Sequence, residues 1–223
     1  FDRCDGEHEI ISNKCDQTTY KNNVFFESIG TLTMRHGDET LVEGNVFLGN
    51  RKRNTGGIRV INGQQTVRNN YGYGLTGYRF RGALVVMNGV PNSPLNRYFQ
   101  VEDAIIENNV FVDSDHVQLC AGSDVERSAT PINSTFKNNT FYLEKPSKLV
   151  TIYDDISGIA FENNLTNHPI NKTLTSGFEV ENMSLTKDKN GLLMPMTGEK
   201  VIAPALADEI PTKENTGAAW YSK

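Results

Sequence analysis

The stretch IENNVF, residues 106–111, decides the fold because it is one of six versions of a single phrase. YKNNVF occupies 20–25, VEGNVF 42–47, VRNNYG 67–72, FKNNTF 136–141 and FENNLT 161–166. Each runs apolar, charged, Asn or Gly, Asn, and then usually apolar again. The second Asn falls at 23, 45, 70, 109, 139 and 164, so the steps are 22, 25, 39, 30 and 25 residues. A unit of this length cannot bury its own apolar side chains, but stacked on its neighbours it builds a continuous core and pairs its strand edges. Apolar residues recur every second position in TLTMRHG (31–37) and FKNNTFYLE (136–144), which predicts strands rather than helices. Asn at one point of every coil suits a left-handed backbone position and an amide ladder running from coil to coil.

The fold class expected is therefore all-β, a parallel β-helix forming one domain over residues 1–223. Regular coils fill 1–170, a loop is inserted at about 71–98 within the long 39-residue step, and 171–223 supplies a last coil and a C-terminal capping tail. Residue 1 already lies inside a coil, and nothing like a cap precedes EIISNK (9–14), so the chain reads as the later part of a longer solenoid. Its missing N-terminal coils would belong to a parent protein or to a second chain.

Composition excludes several classes. The chain has 223 residues, a formal charge of −5 and 37% hydrophobic content, with no apolar run near the ~18–20 residues of a membrane span. No nucleic-acid partner and no membrane association are expected from this balance. Cys4, Cys15 and Cys120 match neither a disulfide framework nor a zinc spacing.

The repeat converts sequence distance into geometry. Lys14, Arg35 and Arg59 stand 9, 10 and 11 residues before Asn23, Asn45 and Asn70, nearly equivalent places on three consecutive coils. Coils are ~4.8 Å apart, so three cations should form a column. In an acidic chain such a column points to an anionic ligand laid along the stack. On the first coil, in GEHEIISNKCDQ (6–17), Glu7 and Glu9 share one strand face. Two carboxylates there suit a hard cation such as calcium, although that ion takes roughly six to eight oxygens.

These same residues carry a family resemblance. EHEIISNK (7–14), GTLTMRHGD (30–38), LVEGNVFLGN (41–50), GGIRVI (56–61) and LNRYFQVEDAIIENNVFVD (95–113) resemble polysaccharide lyase family 6, the alginate lyases and chondroitinase B, and the alginate lyases more closely. The resemblance covers roughly residues 5–165 and implies a right-handed β-helix that breaks bonds beside a uronic acid by β-elimination. It implies Lys14 as the catalytic base and Arg35 as the residue proposed to act as acid. It further implies Arg59, His36 and Arg81 as active-site and substrate-binding groups, and Glu7 and Glu9 as calcium ligands. A remaining family ligand, an asparagine on the preceding coil, would fall before residue 1. The partner implied is an anionic polysaccharide, alginate before dermatan sulfate, and the location implied is secreted or periplasmic.

The chemistry agrees with that assignment. Loss of the C5 proton beside a carboxylate builds up negative charge, which calcium and arginine would offset. A lysine works as a base only when neutral, and cationic neighbours favour that form. A guanidinium gives up its proton with difficulty, so Arg35 is better suited to stabilising the departing oxygen, with water or His36 completing its protonation. Two other readings exist. A hydrolase would need a carboxylate pair flanking the bond, and Asp154 and Asp155 lie far from the column. A noncatalytic glycan-binding β-helix would gain little from Lys14 among arginines.

Overall fold

The computed structural model describes residues 1–5, 7–174 and 176–217. Three parallel sheets stack coil on coil. The first contains Glu9–Asn13, Gly30–Met34, Thr55–Val60, Leu84–Met87, Val117–Ala121 and Val150–Ile152, in that order. The second runs from Thr19–Lys21 through Leu41–Glu43, Thr66–Arg68, Ile105–Glu107 and Ser134–Lys137 to Ile159–Glu162. The third runs from Val24–Phe26 through Val46–Leu48, Tyr71–Tyr73, Val110–Val112, Thr140–Tyr142 and Asn164–Thr166 to Phe178–Val180. This is the parallel β-helix expected from the repeat.

The paired asparagines divide their labour. The first of each pair turns the chain: Asn22, Asn69, Asn108, Asn138 and Asn163 have φ between 51° and 56°, and Gly44 replaces Asn at φ 66°. These are left-handed positions that Asn and Gly adopt with least strain. The second of each pair forms the ladder. Asn23, Asn45, Asn70, Asn109 and Asn139 each donate an amide N–H to the side-chain oxygen of the next, at 2.9–3.0 Å. Asn164 ends the row on the Gly177 carbonyl at 2.9 Å.

Inside the coils, Leu32, Met34, Ile58, Val60, Leu84, Val86, Val117 and Leu119 of the first sheet face a core shared with Phe25, Phe47, Phe111, Phe136 and Phe141. Phe25 and Phe47 stack at 4.5 Å, and Phe111 and Phe141 at 5.6 Å. Gly72 lies between these pairs, in register with Phe47 and Phe111. A Cβ there would stand 2.5 Å from the Phe111 ring, so the phenylalanine column has a gap that only glycine fits.

Two expected boundaries change. Much of 71–98 is not an excursion, since Tyr71–Tyr73 and Leu84–Met87 are regular strands of the third and first sheets. The projecting loop follows Met87 and returns before Ile105. Counting from Asn to Asn merged the two because strands of the first sheet carry no marker residue. Of the expected tail, Leu174 and Phe178 pack on the core beside the last coil, but the strands that follow do not continue the stack. Ser184–Lys187, Leu193–Thr197 and Lys200–Val201 form an antiparallel sheet whose Leu192 and Met194 pack on Val46, Tyr71, Val110 and Val112 outside the third sheet. The Tyr71 hydroxyl donates to the Leu193 carbonyl at 2.8 Å, and Lys213 reaches Asp2 on the first coil at 2.6 Å. Outward apolar residues on the third sheet need cover, and the tail covers them lengthwise. Residues 218–223 of the expected tail lie outside the described residues. Cys4, Cys15 and Cys120 are free thiols, and no helix among the described residues is long and apolar enough to cross a membrane.

Candidate active site

Glu9 and Arg59 lie on strands of the first sheet, and Lys14 and Arg35 just beyond the ends of theirs. Ser12 pairs with Thr33, Thr33 with Arg59, Arg59 with Val85, and Val85 with Gln118. Asn13 pairs with Met34, so Lys14 and Arg35 follow side by side, one outward place beyond the row of Arg59. The cationic column is therefore stepped: Lys14 and Arg35 are level, and Arg59 is set back by two residues. Counting back from ladder asparagines misses the step because turn lengths differ between coils.

Local structure fixes the Lys14 end. Buried Asn13 reaches across Lys14, its amide donating to the Cys15 carbonyl at 2.9 Å and the Thr40 hydroxyl at 3.1 Å. The His36 N–H donates to the Asn13 carbonyl at 2.9 Å. Gly37 follows with φ 86°, and a Cβ there would stand 2.3 Å from the Cys15 carbonyl oxygen. The glycine after Arg35 and His36 thus lets two turns touch, which brings Lys14 and His36 into one cleft. That cleft, of about 410 Å³, is lined by Lys14, Asp16, His36, Asp38, Asn62 and Phe99, among others.

Arg35 leans over the ring of Tyr98 at 4.1 Å, a cation–π contact that orients the guanidinium. Arg59 is only 2% exposed, lies 5.4 Å from the Phe80 ring and pairs with the Glu9 carboxylate. As arranged, Arg59 holds Glu9 in place. Arg81 sits at the end of the 3₁₀ turn Arg79–Arg81, which follows the third-sheet strand Tyr71–Tyr73. Glu7 is exposed on the first coil. Buried Nε groups of Arg59 and Arg81 and Nδ1 of His36 have no hydrogen-bond partner.

Burial, then Arg35 and Lys14, push the His36 pKa below its ordinary value. Burial, then Arg81 and Arg59, do the same to His8. Both rings are held toward the neutral form, so His36 is suited to hydrogen bonding rather than to delivering a proton as imidazolium. His8, Phe80 and Tyr98 are the site neighbours that sequence reasoning missed. The last two come from non-repeating loops, where no coil register signals their approach.

Glu7 and Glu9 offer hard oxygens, but Glu9 is shared with Arg59. Among the described residues no group of three or more His, Cys, Asp or Glu comes together. Two carboxylates fall short of a calcium coordination shell.

The fold and this stepped basic site define a class, and comparison with known proteins gives its name. The family model of chondroitinase B matches residues 1–206, and the chain belongs to that family. Among solved structures, the PL6 family alginate lyase AlyGC is 51% identical with a TM-score of 0.91, covering 100% of this chain and 31% of its own. A mannuronic acid specific family 6 lyase from human gut microbiota is 30% identical with a TM-score of 0.68, covering 82% of this chain and 43% of its own. This chain thus spans about a third of the length of AlyGC. No curated protein matches it.

Proposed function

We propose that this chain carries the catalytic face of a polysaccharide lyase that cleaves alginate by β-elimination. The observation that carries the reading is the meeting of Lys14 and His36 in one cleft, with Arg35 level with Lys14, in a chain of this family. AlyGC is named an alginate lyase, and it is similar over the whole of this chain.

The reaction follows from these residues. Lys14, as the neutral amine, takes the proton from C5 of a uronate. The electrons of that C–H bond form the C4–C5 double bond, and the C4–O bond breaks with its electrons on oxygen. Arg35, held over the Tyr98 ring, stabilises the negative charge growing on that oxygen, which then takes a proton from water. His36 hydrogen-bonds within the cleft in its neutral form. Arg81 faces the substrate carboxylate, and Arg59 keeps Glu9 fixed. Glu7 and Glu9 are the residues of this chain that would hold a calcium ion, short of a full shell by themselves, and no step above depends on it. Calcium bound there would offset charge on the substrate carboxylate. Substrate and product belong outside the cytoplasm, so the protein is secreted or periplasmic.

The hydrolase reading fits less well. Hydrogen bonds from Ser123 and from the Asp155 backbone lower the pKa of Asp154, and those from Ser157 lower that of Asp155. Neither carboxyl is held protonated to serve as an acid. The test is to incubate the protein with alginate, its mannuronate and guluronate blocks and dermatan sulfate, and to follow the ultraviolet absorbance of the unsaturated uronate. Absorbance growing on alginate supports the reading; none on any polymer overturns it.

A further inference from the structure

Further along the first sheet lies a second cleft, of about 330 Å³, lined by Tyr78, Arg79, Gln118, Tyr153 and their neighbours. Gln118 is in register with Val85, which is in register with Arg59. Its strand is four places from that of Lys14 in the first sheet, roughly 19 Å at the usual strand spacing. The catalytic cleft and this one are therefore separate places along one sheet.

Three features mark it as a built site. First, Arg79 has φ 53°, a left-handed conformation unusual for arginine and a form of strain that persists where the surroundings enforce it. Second, the enforcing group is identifiable. Gln118 is 1% exposed, and one orientation of its amide satisfies every neighbour. Its oxygen accepts from the Arg79 N–H at 2.8 Å, and its nitrogen donates to the Arg79 carbonyl at 3.1 Å and to the Tyr153 hydroxyl at 3.3 Å. A buried amide thus clamps both backbone groups of one strained residue and ties it to a tyrosine.

Third, what the clamp presents is unspent. Tyr78 is 53% and Tyr153 39% exposed, and the Tyr78 ring is braced edge-on by His116 at 5.1 Å. Among the described residues no carboxylate forms an ion pair with Arg79. The other arginine of this cleft, Arg127, is committed to Asp124. The Arg79 guanidinium, 5.9 Å from the Tyr78 ring and without an ion pair, shares the cleft with two half-open aromatic rings, which matches a ring-shaped anion with one flat hydrophobic face.

We propose that this cleft is a remote subsite for one uronate unit of the polysaccharide, its carboxylate on Arg79 and its pyranose face on Tyr78 and Tyr153. The assignment rests on the lyase reading above and adds to it a length requirement. Only an oligomer of several units reaches both Lys14 and Arg79, so the subsite favours long chains over short ones.

The experiment compares the parent protein with Arg79→Gly and Tyr153→Leu on alginate trisaccharide and hexasaccharide. One readout is kcat/KM from the unsaturated-uronate absorbance. The other is calorimetric binding of the same oligosaccharides in a Lys14→Ala background. Arg79→Gly removes the guanidinium while relieving the left-handed strain, so its thermal midpoint should be equal to or above that of the parent. Its kcat/KM and affinity should fall about tenfold more for the hexasaccharide than for the trisaccharide, the loss of one charge-assisted contact. Equal values for variant and parent at both lengths, or equal losses at both, overturn the subsite while leaving the elimination intact. Absence of product from the parent at any length overturns the lyase reading instead, and the calorimetric arm then decides the subsite on its own.

Discussion

Arg59 and Glu9 make the strongest energetic commitment in the candidate site, and breaking it has a calculable result. The guanidinium side chain is 3% exposed and the carboxylate side chain 19%, with Phe80 against the former. Exposed pairs contribute about 0–1 kcal/mol, whereas removing one partner of a fully buried pair costs about 3–5 kcal/mol by stranding the other charge. Glu9 retains some solvent, which places Arg59→Met at about 2–4 kcal/mol. For a domain of this size each kcal/mol moves the midpoint by about 2–4 °C, so a fall of roughly 5–15 °C is expected by scanning calorimetry. Glu9→Gln strands the more buried cation and should cost at least as much. Once either partner is gone the second substitution adds little, so the double mutant should be less unstable than the sum of the singles by about 2 kcal/mol. Single variants that each lose under about 2 °C, or losses that simply add, would refute the view that Arg59 serves to hold Glu9.

Three other expectations follow from the same structure. Asn109 accepts from both the backbone and the amide of Asn70 and donates to Asn139 and to the Val67 carbonyl, so Asn109→Ala should cost about 3–5 kcal/mol, checked by urea unfolding. His8, His36 and His116 all have pKa values lowered first by burial. The unfolded chain binds more protons than the folded one, so their contribution is present above about pH 6.5 and is lost as pH falls through the folded values. The thermal midpoint should decline on that acid side, and less so in a His116→Phe variant. Glu9 is paired with Arg59 and two carboxylates do not complete a calcium shell, so millimolar calcium should leave the midpoint of the parent protein within about 1 °C. A larger rise that Glu7→Gln with Glu9→Gln abolishes would contradict this.

How much was legible in the sequence depended on what repeats. The ladder asparagines recur at one place per coil, so coil number and the stack were readable, as were the positions of Lys14, Arg35 and His36 on one face. The step between Arg35 and Arg59 was not readable, because the first sheet has no marker and turn lengths vary. The buried state of Arg59 was hidden for a related reason. It depends on Phe80, in a 3₁₀ turn lying across four coils, which periodicity does not reach. Tyr98 arrives from the loop after Met87, and the tail along the third sheet shows in sequence only as scattered apolar residues such as Leu192 and Met194.

The central claim is that Lys14 removes the C5 proton of an alginate uronate. The most direct measurement is the initial rate of unsaturated-uronate absorbance on alginate, parent against Lys14→Ala. Lys14 is exposed and stands outside the ladder and core, so the variant should keep its midpoint within about 1 °C of the parent, as surface substitutions commonly do. The account predicts a steady rise in absorbance from the parent and at least a ~100-fold lower rate from the variant, the usual scale of a lost general base. A Lys14→Ala variant that turns over alginate at the parental rate would contradict it.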